Sequence, residues 1–469
     1  MRVLLISANL EKLPDPVAPI GMACLASALQ SSGNDVQCLD LCFEENIEDA
    51  LKKVFLDFSP EAIGLALRNL DNVAYPETVS YLPFYKDLVK SCRRYSSAPV
   101  ILGGSGFTLM PEAILNYVGA DGGVIGEGEE AFSEILRKKA AAHDYSGSSI
   151  LGFIRLPSGN PQRAARVEDL NALPSPDWSS LPLEKYFQQG GMGNLQTKRG
   201  CPFHCLYCTY PLIEGAEIRL RSPAKVATEA ETLVRRGVQH AFIVDNIFNY
   251  PEDHAQEVCR IFIQKKISLQ WSCYGYPGQF SRALAEEMQA AGCTGVEFGT
   301  DSGSIPVLAR LRKSFTPEDI DRATRAAREA GLEVCHSLSL GSPGETPETL
   351  QETLQLMEEI APTAVIAMVG LRVFPGTGLA LLAREEGIVS RFHDFLTPTF
   401  YIAPSVRGMV LDFCRKAAMA HPNWIFPGMG INISPRLQAK LRRIGVKGPL
   451  WEHMKVMRQR QAFPEGTHA

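Results

Sequence analysis

Three cysteines with a short, uneven spacing are the residues of this chain whose arrangement most clearly implies chemistry. Cys201, Cys205 and Cys208 lie in the stretch TKRGCPFHCLYCTYP, so their spacing is CxxxCxxC. Three thiolates can hold three irons of a four-iron cluster and leave the fourth iron open to chelate amino and carboxylate groups. The alternatives are a zinc site with His204 as the fourth ligand, or three small buried residues.

The cysteine stretch directly follows the first strand of a long β–α alternation. The predicted strands are residues 195–199, 241–245, 269–273, 295–299, 333–340 and 365–373, and amphipathic helices are predicted over residues 223–236 and 317–330. Six β–α units in succession favour a partial (β/α)6 barrel of the TIM type over an open sheet. Catalytic groups of such barrels lie at the carboxyl ends of the strands, which is where the cysteines follow the first strand.

A second alternation precedes the barrel. Short apolar runs at residues 3–7, 36–41, 62–67, 100–102 and 123–125 alternate with helical stretches, which predicts an α/β, doubly wound, Rossmann-like sheet. The predicted domains are therefore residues 1–140, the first sheet; 141–192, a linker rich in Gly, Ser and Pro; 193–390, the barrel; and 391–469, a small extension without a readable motif.

Composition and charge limit the kinds of molecule that this chain is expected to bind. The 469 residues carry a formal net charge of -5, so no overall basic field favours nucleic acid. The opening MRVLLISANL is too short for a signal peptide or a spanning helix, and twelve cysteines without a secretory signal indicate a reducing cytoplasm. We therefore expect a cytoplasmic protein that acts on a small molecule or peptide and binds neither nucleic acid nor membrane.

The cysteine motif resembles that of the radical S-adenosylmethionine (SAM) superfamily, which has an aromatic residue, here Tyr207, just before the last cysteine. The resemblance covers roughly residues 193–387 and implies a [4Fe-4S] cluster, reductive cleavage of SAM to a deoxyadenosyl radical, and an electron donor such as flavodoxin or ferredoxin. It also implies that SAM contacts come from residues spread over the barrel strands: Tyr207, Asp245, Asn246, Glu297 and Ser339. An Asp–Asn turn or helix cap is the competing explanation for Asp245 and Asn246.

Two glycine-rich turns in the first domain resemble those of cobalamin domains fused to radical SAM barrels. They lie in VILGGSGFTLMPEAIL (residues 100–115) and GVIGEGEEAF (residues 123–132). The resemblance implies that glycine lets the backbone approach the nucleotide tail of cobalamin. Ordinary strand-to-helix turns are the alternative. The implied cobalamin contacts are Gly103, Gly104, Ser105, Gly126, Glu127 and Gly128.

The first domain offers no histidine to ligate cobalt, because all nine histidines lie at or beyond His143. The turn after the third strand reads LRNLDN and gives Arg68, Asn69, Asp71 and Asn72 as further cobalamin contacts. A guanidinium has no lone pair for cobalt, so Arg68 can cover the lower face of the corrin without ligating it. In this respect the chain is similar to the tryptophan-methylating branch of the family. The alternative is an ion pair of Arg68 with Asp71 or Asp40.

The resemblance implies a C-methyltransferase that moves a methyl group from SAM through methylcobalamin to an unactivated carbon. Ring contraction or oxidative cyclisation on the same two modules remains an alternative, as does a non-enzymatic cobalamin or iron–sulfur sensor. If the mechanism is polar rather than radical, a base is needed, and the candidates are Tyr207, Tyr210, Tyr274 and Tyr276. Packing is the commoner use of tyrosine in such loops.

Overall fold

The computed structural model of the protein describes residues 1–142, 150–156, 164–431 and 435–454. Two sheets dominate this part of the chain, and each is parallel along nearly all of its length. The predicted α/β fold, with a doubly wound first sheet and a partial barrel, is confirmed.

The first sheet has the strand order β2-β1-β3-β4-β5-β6. The direction in which successive strands are added to the sheet reverses between β1 and β3. Every neighbouring pair is parallel except β5 and β6. Ligands of doubly wound sheets bind beyond the carboxyl ends of the strands at such a reversal, here the turns after β1 and β3. The strands are β1 (Arg2–Ser7), β2 (Asp35–Asp40), β3 (Ala62–Ala66), β4 (Val100–Gly103), β5 (Gly122–Val124) and β6 (Phe153–Ile154).

The second sheet has the order β17-β14-β13-β12-β11-β10-β7, with parallel neighbours throughout, and forms the partial barrel. Two short antiparallel pairs, β8 with β9 and β15 with β16, lie outside it. The strands are β7 (Gly193–Leu195), β8 (Lys198–Arg199), β9 (Arg219–Leu220), β10 (His240–Ile243), β11 (Gln270–Gly275), β12 (Cys293–Asp301), β13 (Glu333–Leu340), β14 (Ala364–Val369), β15 (Leu371–Arg372), β16 (Phe400–Tyr401) and β17 (Trp424–Ile425).

Helices cover the outer faces of both sheets. Several begin at a side-chain cap, as where the Thr316 hydroxyl accepts a hydrogen bond from the Asp319 amide. No described helix is long and apolar enough to cross a membrane. The helices are α1 (Ile20–Ser31), α2 (Ile47–Phe58), α3 (Leu82–Tyr95), α4 (Ser105–Leu109), α5 (Pro111–Val118), α6 (Gly128–Ala142), α7 (Leu183–Gln189), α8 (Tyr210–Ile213), α9 (Pro223–Arg235), α10 (Glu252–Gln264), α11 (Arg282–Ala290), α12 (Ile305–Arg310), α13 (Pro317–Glu329), α14 (Pro347–Ile360), α15 (Gly378–Glu385), α16 (Val410–Ala420) and α17 (Pro435–Arg443).

The predicted linker and extension both contribute to the two sheets. β6 lies within the predicted linker and pairs with β5, and β17 lies within the predicted extension and pairs with β14. Two clusters of buried apolar side chains each contain residues from both sheets, which holds the sheets against one another. The four-segment division therefore stays a proposal about sequence segments rather than about separate packing units.

The end of the described chain closes the bottom of the barrel, opposite the cysteine loop. Trp451 and Met454 pack with Cys335 and Ala364 of the barrel strands. The Glu452 carboxylate accepts a hydrogen bond from the Ser272 hydroxyl of β11. Burial raises the pKa of Glu452 to about 7. A short turn of the extension thus seals the lumen at the end where no reaction is expected.

We predict that Glu452 makes the protein less stable as pH rises from about 4.5 to 7. The folded state holds the Glu452 proton more tightly than the unfolded state, whose reference pKa is 4.5, so unfolding becomes easier across that window. In Glu452→Gln, which keeps an acceptor for Ser272, the decline in the free energy of unfolding should shrink by about 1–3 kcal/mol. Denaturant titrations at several pH values measure it. Glu385→Gln, at an exposed position, should follow the wild-type profile, and an unchanged decline in Glu452→Gln would contradict the buried contact.

Candidate active site

The cysteine loop begins at the carboxyl side of β8 and is held at both ends by backbone hydrogen bonds. Cys201 donates from its amide to Gly215 O at 3.0 Å, and Leu206 donates to Leu311 O at 3.0 Å. Gly200 starts the loop with a φ of +93°, and a Cβ there would lie 2.0 Å from Glu217 O, so only glycine fits. Gly200 therefore fixes the entry of the loop. The hydrogen bond between Leu206 and Leu311 fixes the part of the loop between the second and third cysteines.

The three thiols of this loop are close to one another. Burial raises the pKa of Cys208 to about 12, and the neighbouring Cys205 and Cys201 thiols add to the rise. Among the described residues, no three His, Cys, Asp or Glu side chains are placed to hold one metal ion. A four-iron cluster takes one thiolate on each of three irons and so does not require three thiols on a single ion.

A buried network that includes Tyr207 adjoins the cysteine loop. The Tyr207 hydroxyl donates to the Asp301 carboxylate at 2.8 Å, and the Ser339 hydroxyl donates to the same carboxylate at 3.0 Å. Lys313 forms an ion pair with Asp301 in which the side chains are 9% and 6% exposed. Burial disfavours the Lys313 charge, but Asp301 outweighs this and raises the pKa of Lys313 well above its usual range. The network fixes the Tyr207 ring beside the cysteines.

The second strand of the barrel ends in Asp245 and Asn246, both predicted to contact SAM, and the structure separates their roles. Asp245 is 1% exposed and accepts hydrogen bonds from the amide of Thr197 at 2.7 Å and from the Thr197 hydroxyl. Asn246 donates to Glu214 at 2.7 Å, while its own Oδ1 is buried without a described hydrogen-bond partner. Asp245 therefore braces the first strand, and Asn246 keeps a buried acceptor that suits an ammonium group.

We predict that Asn246→Ala weakens SAM binding about tenfold, because one buried acceptor for the amino group is lost, at about 1.4 kcal/mol. Equilibrium dialysis with labelled SAM on protein carrying a reconstituted cluster measures the affinity. Iron content should stay unchanged, and Asn46→Ala at the exposed start of α2 should bind SAM as the wild type does. Equal SAM affinity in Asn246→Ala would contradict this role.

The middle of the barrel lumen is lined by Tyr274 and Glu297, whose Cα atoms pair in register. The Glu297 carboxylate accepts a hydrogen bond from the Ser337 hydroxyl, its one described donor. Burial raises the pKa of Glu297, and the charge of Glu297, ahead of burial, raises the pKa of Tyr274 well above its usual range. Tyr274 is still 38% exposed, and a Cβ on Gly299 would meet no atom within 4 Å. These residues thus border an open space above Glu297.

Tyr276 does not face this space. Its ring is 8% exposed and stacks on Phe203 with centroids 4.5 Å apart, and its hydroxyl lies 2.7 Å from the Ser314 hydroxyl. The prediction of Tyr276 as a base is therefore corrected: it anchors the cysteine loop. Tyr207 has its hydroxyl occupied by Asp301, whereas Tyr210 and Tyr274 are partly exposed and their hydroxyls have no described hydrogen-bond partner.

Arg68 reaches out from the first sheet toward the barrel mouth. It is exposed, and the described residues give its guanidinium no hydrogen bond or ion pair. Both carboxylates of the alternative prediction have other partners, because Asp71 pairs with Arg372 at 2.9 Å and Asp40 accepts from the Tyr186 hydroxyl at 2.7 Å. The charge of Arg68 also acts on the phenols of Tyr210 and Tyr274. Arg68 therefore faces the space between the two sheets, whereas Asp71 is buried away from it.

The other polar residues predicted beside Arg68 serve mainly to shape its loop. Asn72 accepts from Val79 N at 2.9 Å, and the Ser105 hydroxyl donates to Arg68 O at 2.8 Å. Gly104 has a φ of +95°, and a Cβ there would lie 2.7 Å from Leu67 O, so it admits the neighbouring turn. At Gly103 a Cβ would meet nothing within 4 Å, which leaves open room for a ligand. Asn69 is half-buried, and its carbonyl accepts from the Tyr85 hydroxyl.

In the turn from Gly126 to Gly128, protein contacts account for Gly126 and Glu127, so the geometry does not favour these two as cobalamin contacts. A Cβ on Gly126 would lie 2.3 Å from Ala165 O, so the glycine admits the segment that follows β6. Glu127 is 9% exposed, receives a hydrogen bond from Val167 N at 2.6 Å and pairs with Arg219 at 2.6 Å. Gly128 begins α6. This turn therefore joins the first sheet to β9 of the short antiparallel pair that flanks the cysteine loop.

Sequence reasoning did not single out Asp301, Lys313 or Glu214. Asp301 lies in VEFGTDSGS at the carboxyl end of β12, and its position at a strand end was the available signal. Glu214 accepts from the Gly200 amide at 3.0 Å and from Asn246, and burial raises its pKa. Neither Lys313 nor Glu214 belongs to a recognisable pattern, because each reaches the site from a loop or helix end.

Comparisons with known proteins agree with this geometry. The model of the Radical SAM superfamily matches residues 195–357, and the B12 binding domain model matches residues 6–136. Together they cover the cysteine loop and most strands of both sheets, while β6, β14 and β17 lie outside the two matches. The turn containing Arg68 lies within the second match, and the cysteines lie within the first.

Among curated proteins, the tryptophan 2-C-methyltransferase of Streptomyces laurentii is 27% identical over 448 residues, covering 82% of this chain and 74% of that protein. An uncharacterized methyltransferase of Pyrococcus horikoshii is 26% identical, covering 77% of this chain and 78% of that protein. A solved structure of the radical SAM methyltransferase TsrM from Kitasatospora setae, with cobalamin and a [4Fe-4S] cluster bound, has a TM-score of 0.84 and 25% identity and covers 98% of this chain and 99% of that chain.

Proposed function

Because the chain belongs to the radical SAM enzymes that carry a cobalamin-binding domain, we propose that it is a C-methyltransferase acting on a small aromatic substrate. The observation that carries the proposal is the single space that both sheets border. Arg68 enters it from the first sheet, while the cysteine loop, Tyr274 and Glu297 border it from the second. This arrangement brings a SAM site and a cobalamin site to one substrate.

The described residues fit the three cofactors. Cys201, Cys205 and Cys208 would hold the [4Fe-4S] cluster, and Asn246 would accept a hydrogen bond from the SAM amino group through its free Oδ1. The open room at Gly103 and the exposed guanidinium of Arg68 would border cobalamin. When bound, the cluster and SAM supply electron transfer and the methyl group, and cobalamin supplies a carrier for that group. An external one-electron donor such as flavodoxin or ferredoxin would reduce the cluster.

The role proposed for Arg68 at the cobalamin site depends on its inability to ligate cobalt. A guanidinium stays protonated and offers no lone pair, so Arg68 would border cobalamin without ligating its cobalt. The first sheet contains no histidine that could take its place. Bound here, cobalamin would therefore supply a methyl carrier whose cobalt has no ligand from the first sheet.

The side chains that line the barrel lumen indicate the chemical class of the substrate. Glu297 was predicted from the sequence to contact SAM, but it has only Ser337 as a described donor in the middle of the lumen, so we assign its remaining acceptor capacity to a substrate N–H instead. Tyr274 and Phe242, whose ring centroids are 4.9 Å apart, provide an aromatic wall beside it. A planar ring that carries an N–H satisfies both. Since the Streptomyces laurentii relative is a tryptophan methyltransferase, tryptophan is the first substrate to test.

The substrate assignment is tested with enzyme reconstituted anaerobically with cluster and cobalamin. Incubation with SAM labelled as CD3, a reductant and either tryptophan or phenylalanine is followed by mass spectrometry. We expect one labelled methyl group on a ring carbon of tryptophan and none on phenylalanine, which lacks the ring N–H. Glu297→Gln should raise the KM for tryptophan while leaving cluster and cobalamin content unchanged. Labelling of neither amino acid, or of both alike, would overturn the indole assignment.

A further inference from the structure

A buried ion pair joins the loop that carries Arg68 to the barrel. Asp71 accepts from Arg372 Nε at 2.9 Å, and the two side chains are 1% and 2% exposed. Arg372 also donates to Val373 O at 2.6 Å and to Phe395 O at 3.1 Å, and its guanidinium lies 4.6 Å from the centre of the Phe374 ring. Arg372 is thus fixed from several sides, and it holds Asp71 in one place.

Arg68 and Asp71 are close enough for their side chains to pair with each other when Arg372 is removed. They lie three residues apart in one loop, and both charges act on the hydroxyl of Tyr85. That hydroxyl donates to Asn69 O at 2.5 Å, between them in sequence. A carboxylate buried without a partner attracts the nearest cation strongly, because desolvation leaves it uncompensated. Without Arg372, the nearest cation in this loop is Arg68.

The main chain of the loop is held independently of this pair. Leu67 donates from its amide to Gly103 O at 2.8 Å, Gly106 donates to Leu67 O at 2.9 Å, and the Ser105 hydroxyl holds Arg68 O. Losing the Asp71–Arg372 pair therefore leaves the backbone in place, and the buried Asp71 carboxylate keeps only the hydrogen bond that its Oδ1 accepts from the Val73 amide at 2.9 Å, with its charge unpaired. The Arg68 guanidinium can then turn toward Asp71 or stay toward the barrel mouth.

We propose that Arg372 is a positioning residue that occupies Asp71 and thereby keeps Arg68 on the lower face of cobalamin. The inference rests on the proposed role of Arg68 as a cover without ligation. Under this inference, the coordination of cobalt depends on Arg372, a barrel residue that lies 301 positions from Asp71 in the chain. The two sheets must be docked before the cobalamin site is complete.

The test reads cobalt coordination directly. Holoenzyme loaded with cob(II)alamin is examined by electron paramagnetic resonance, which distinguishes cobalt without an axial ligand from cobalt with a bound water. We expect the wild type to show the form without a ligand. Arg372→Gln should lose most of that signal to the water-bound form, because unpaired Asp71 withdraws Arg68. Asp71→Asn breaks the same pair but leaves no charge to attract Arg68, so it should keep the wild-type spectrum, as should the double variant.

Two further variants guard against nonspecific effects. Arg442→Gln breaks the Arg442–Asp15 pair, whose side chains are both 5% exposed, far along the chain from Arg68, and should not change the spectrum. If Arg372→Gln fails to fold, Arg372→Lys, which keeps the charge but not the fork of hydrogen bonds, should give a mixture of both forms.

The outcomes separate the inference from the proposed function. Water on cobalt in the wild type, or an unchanged spectrum in Arg68→Ala, would overturn the role of Arg68 and with it the inference. An Arg68-dependent spectrum that Arg372→Gln and Arg372→Lys leave unchanged would overturn the inference alone. A change in Arg372→Gln that the double variant does not reverse, or that Arg442→Gln shares, would show that Arg372 acts only through docking and would overturn the inference as well.

Discussion

Replacing Cys201, Cys205 or Cys208 by alanine is expected to remove the iron–sulfur cluster and all turnover of SAM. Each thiolate holds one iron, so two remaining thiolates cannot retain a four-iron cluster. Iron and sulfide analysis and the visible absorbance after anaerobic reconstitution measure cluster content, and chromatography of the nucleoside products measures SAM turnover. Both should fall below detection in each single variant, while cobalamin binding by the first sheet should remain.

Cys92→Ala is the matched control for this prediction. Cys92 is a fully buried cysteine of α3 in the first sheet's core, so its loss should leave cluster content at the wild-type level. A cluster retained in full by any of the three loop variants would contradict the assignment of the thiols. Loss of the cluster in Cys92→Ala as well would indicate a general failure of folding rather than a ligand effect.

Asp301→Ala is expected to cost about 3–5 kcal/mol of folding free energy, because it leaves the buried Lys313 ammonium without its partner. It also frees the Tyr207 hydroxyl, which donates to Asp301 at 2.8 Å, so the ring beside the cysteines loses its anchor. Denaturant unfolding measures the stability, and SAM affinity of the reconstituted protein measures the effect on the site. We expect both to fall.

The double variant Asp301→Ala/Lys313→Met should recover most of the lost stability, since it removes both buried charges. Asp412→Ala, which breaks an exposed pair with Arg415 whose side chains are 71% and 59% exposed, should cost less than about 1 kcal/mol. If Asp301→Ala costs no more than Asp412→Ala, or the double variant is no more stable than Asp301→Ala, the buried network is not as described.

Local pattern was enough to predict the cysteine loop and most strands of the two sheets, but not β6 and β17. Strand β13 was predicted over the same residues that form it, because a short, partly apolar segment between two helical stretches leaves few other solutions. The cysteine spacing, the missing histidine and Arg68 are also local features, readable without a fold. The comparisons support the cofactors that these features implied.

Long-range pairing explains what the sequence did not reveal. Asp71 was predicted to meet cobalamin, yet its partner Arg372 lies on β15, beyond any local pattern. Glu127 likewise pairs with Arg219, and its neighbour Glu129 pairs with Arg199 just before the cysteine loop at 2.7 Å. The sequence of a glycine-rich turn does not distinguish a carboxylate that faces a ligand from one that pairs with another strand. Only the docking of the two sheets decides between them.

The most direct test of the central claim is a single turnover without substrate, on holoenzyme that carries cluster and reduced cobalamin. SAM labelled as CD3 is added anaerobically, and S-adenosylhomocysteine is counted against cobalamin. We expect close to one equivalent of S-adenosylhomocysteine per cobalamin, and none in protein reconstituted with the cluster alone. Formation of S-adenosylhomocysteine at the same rate without cobalamin, or its absence from the complete holoenzyme, would contradict methyl transfer through the space between the two sheets.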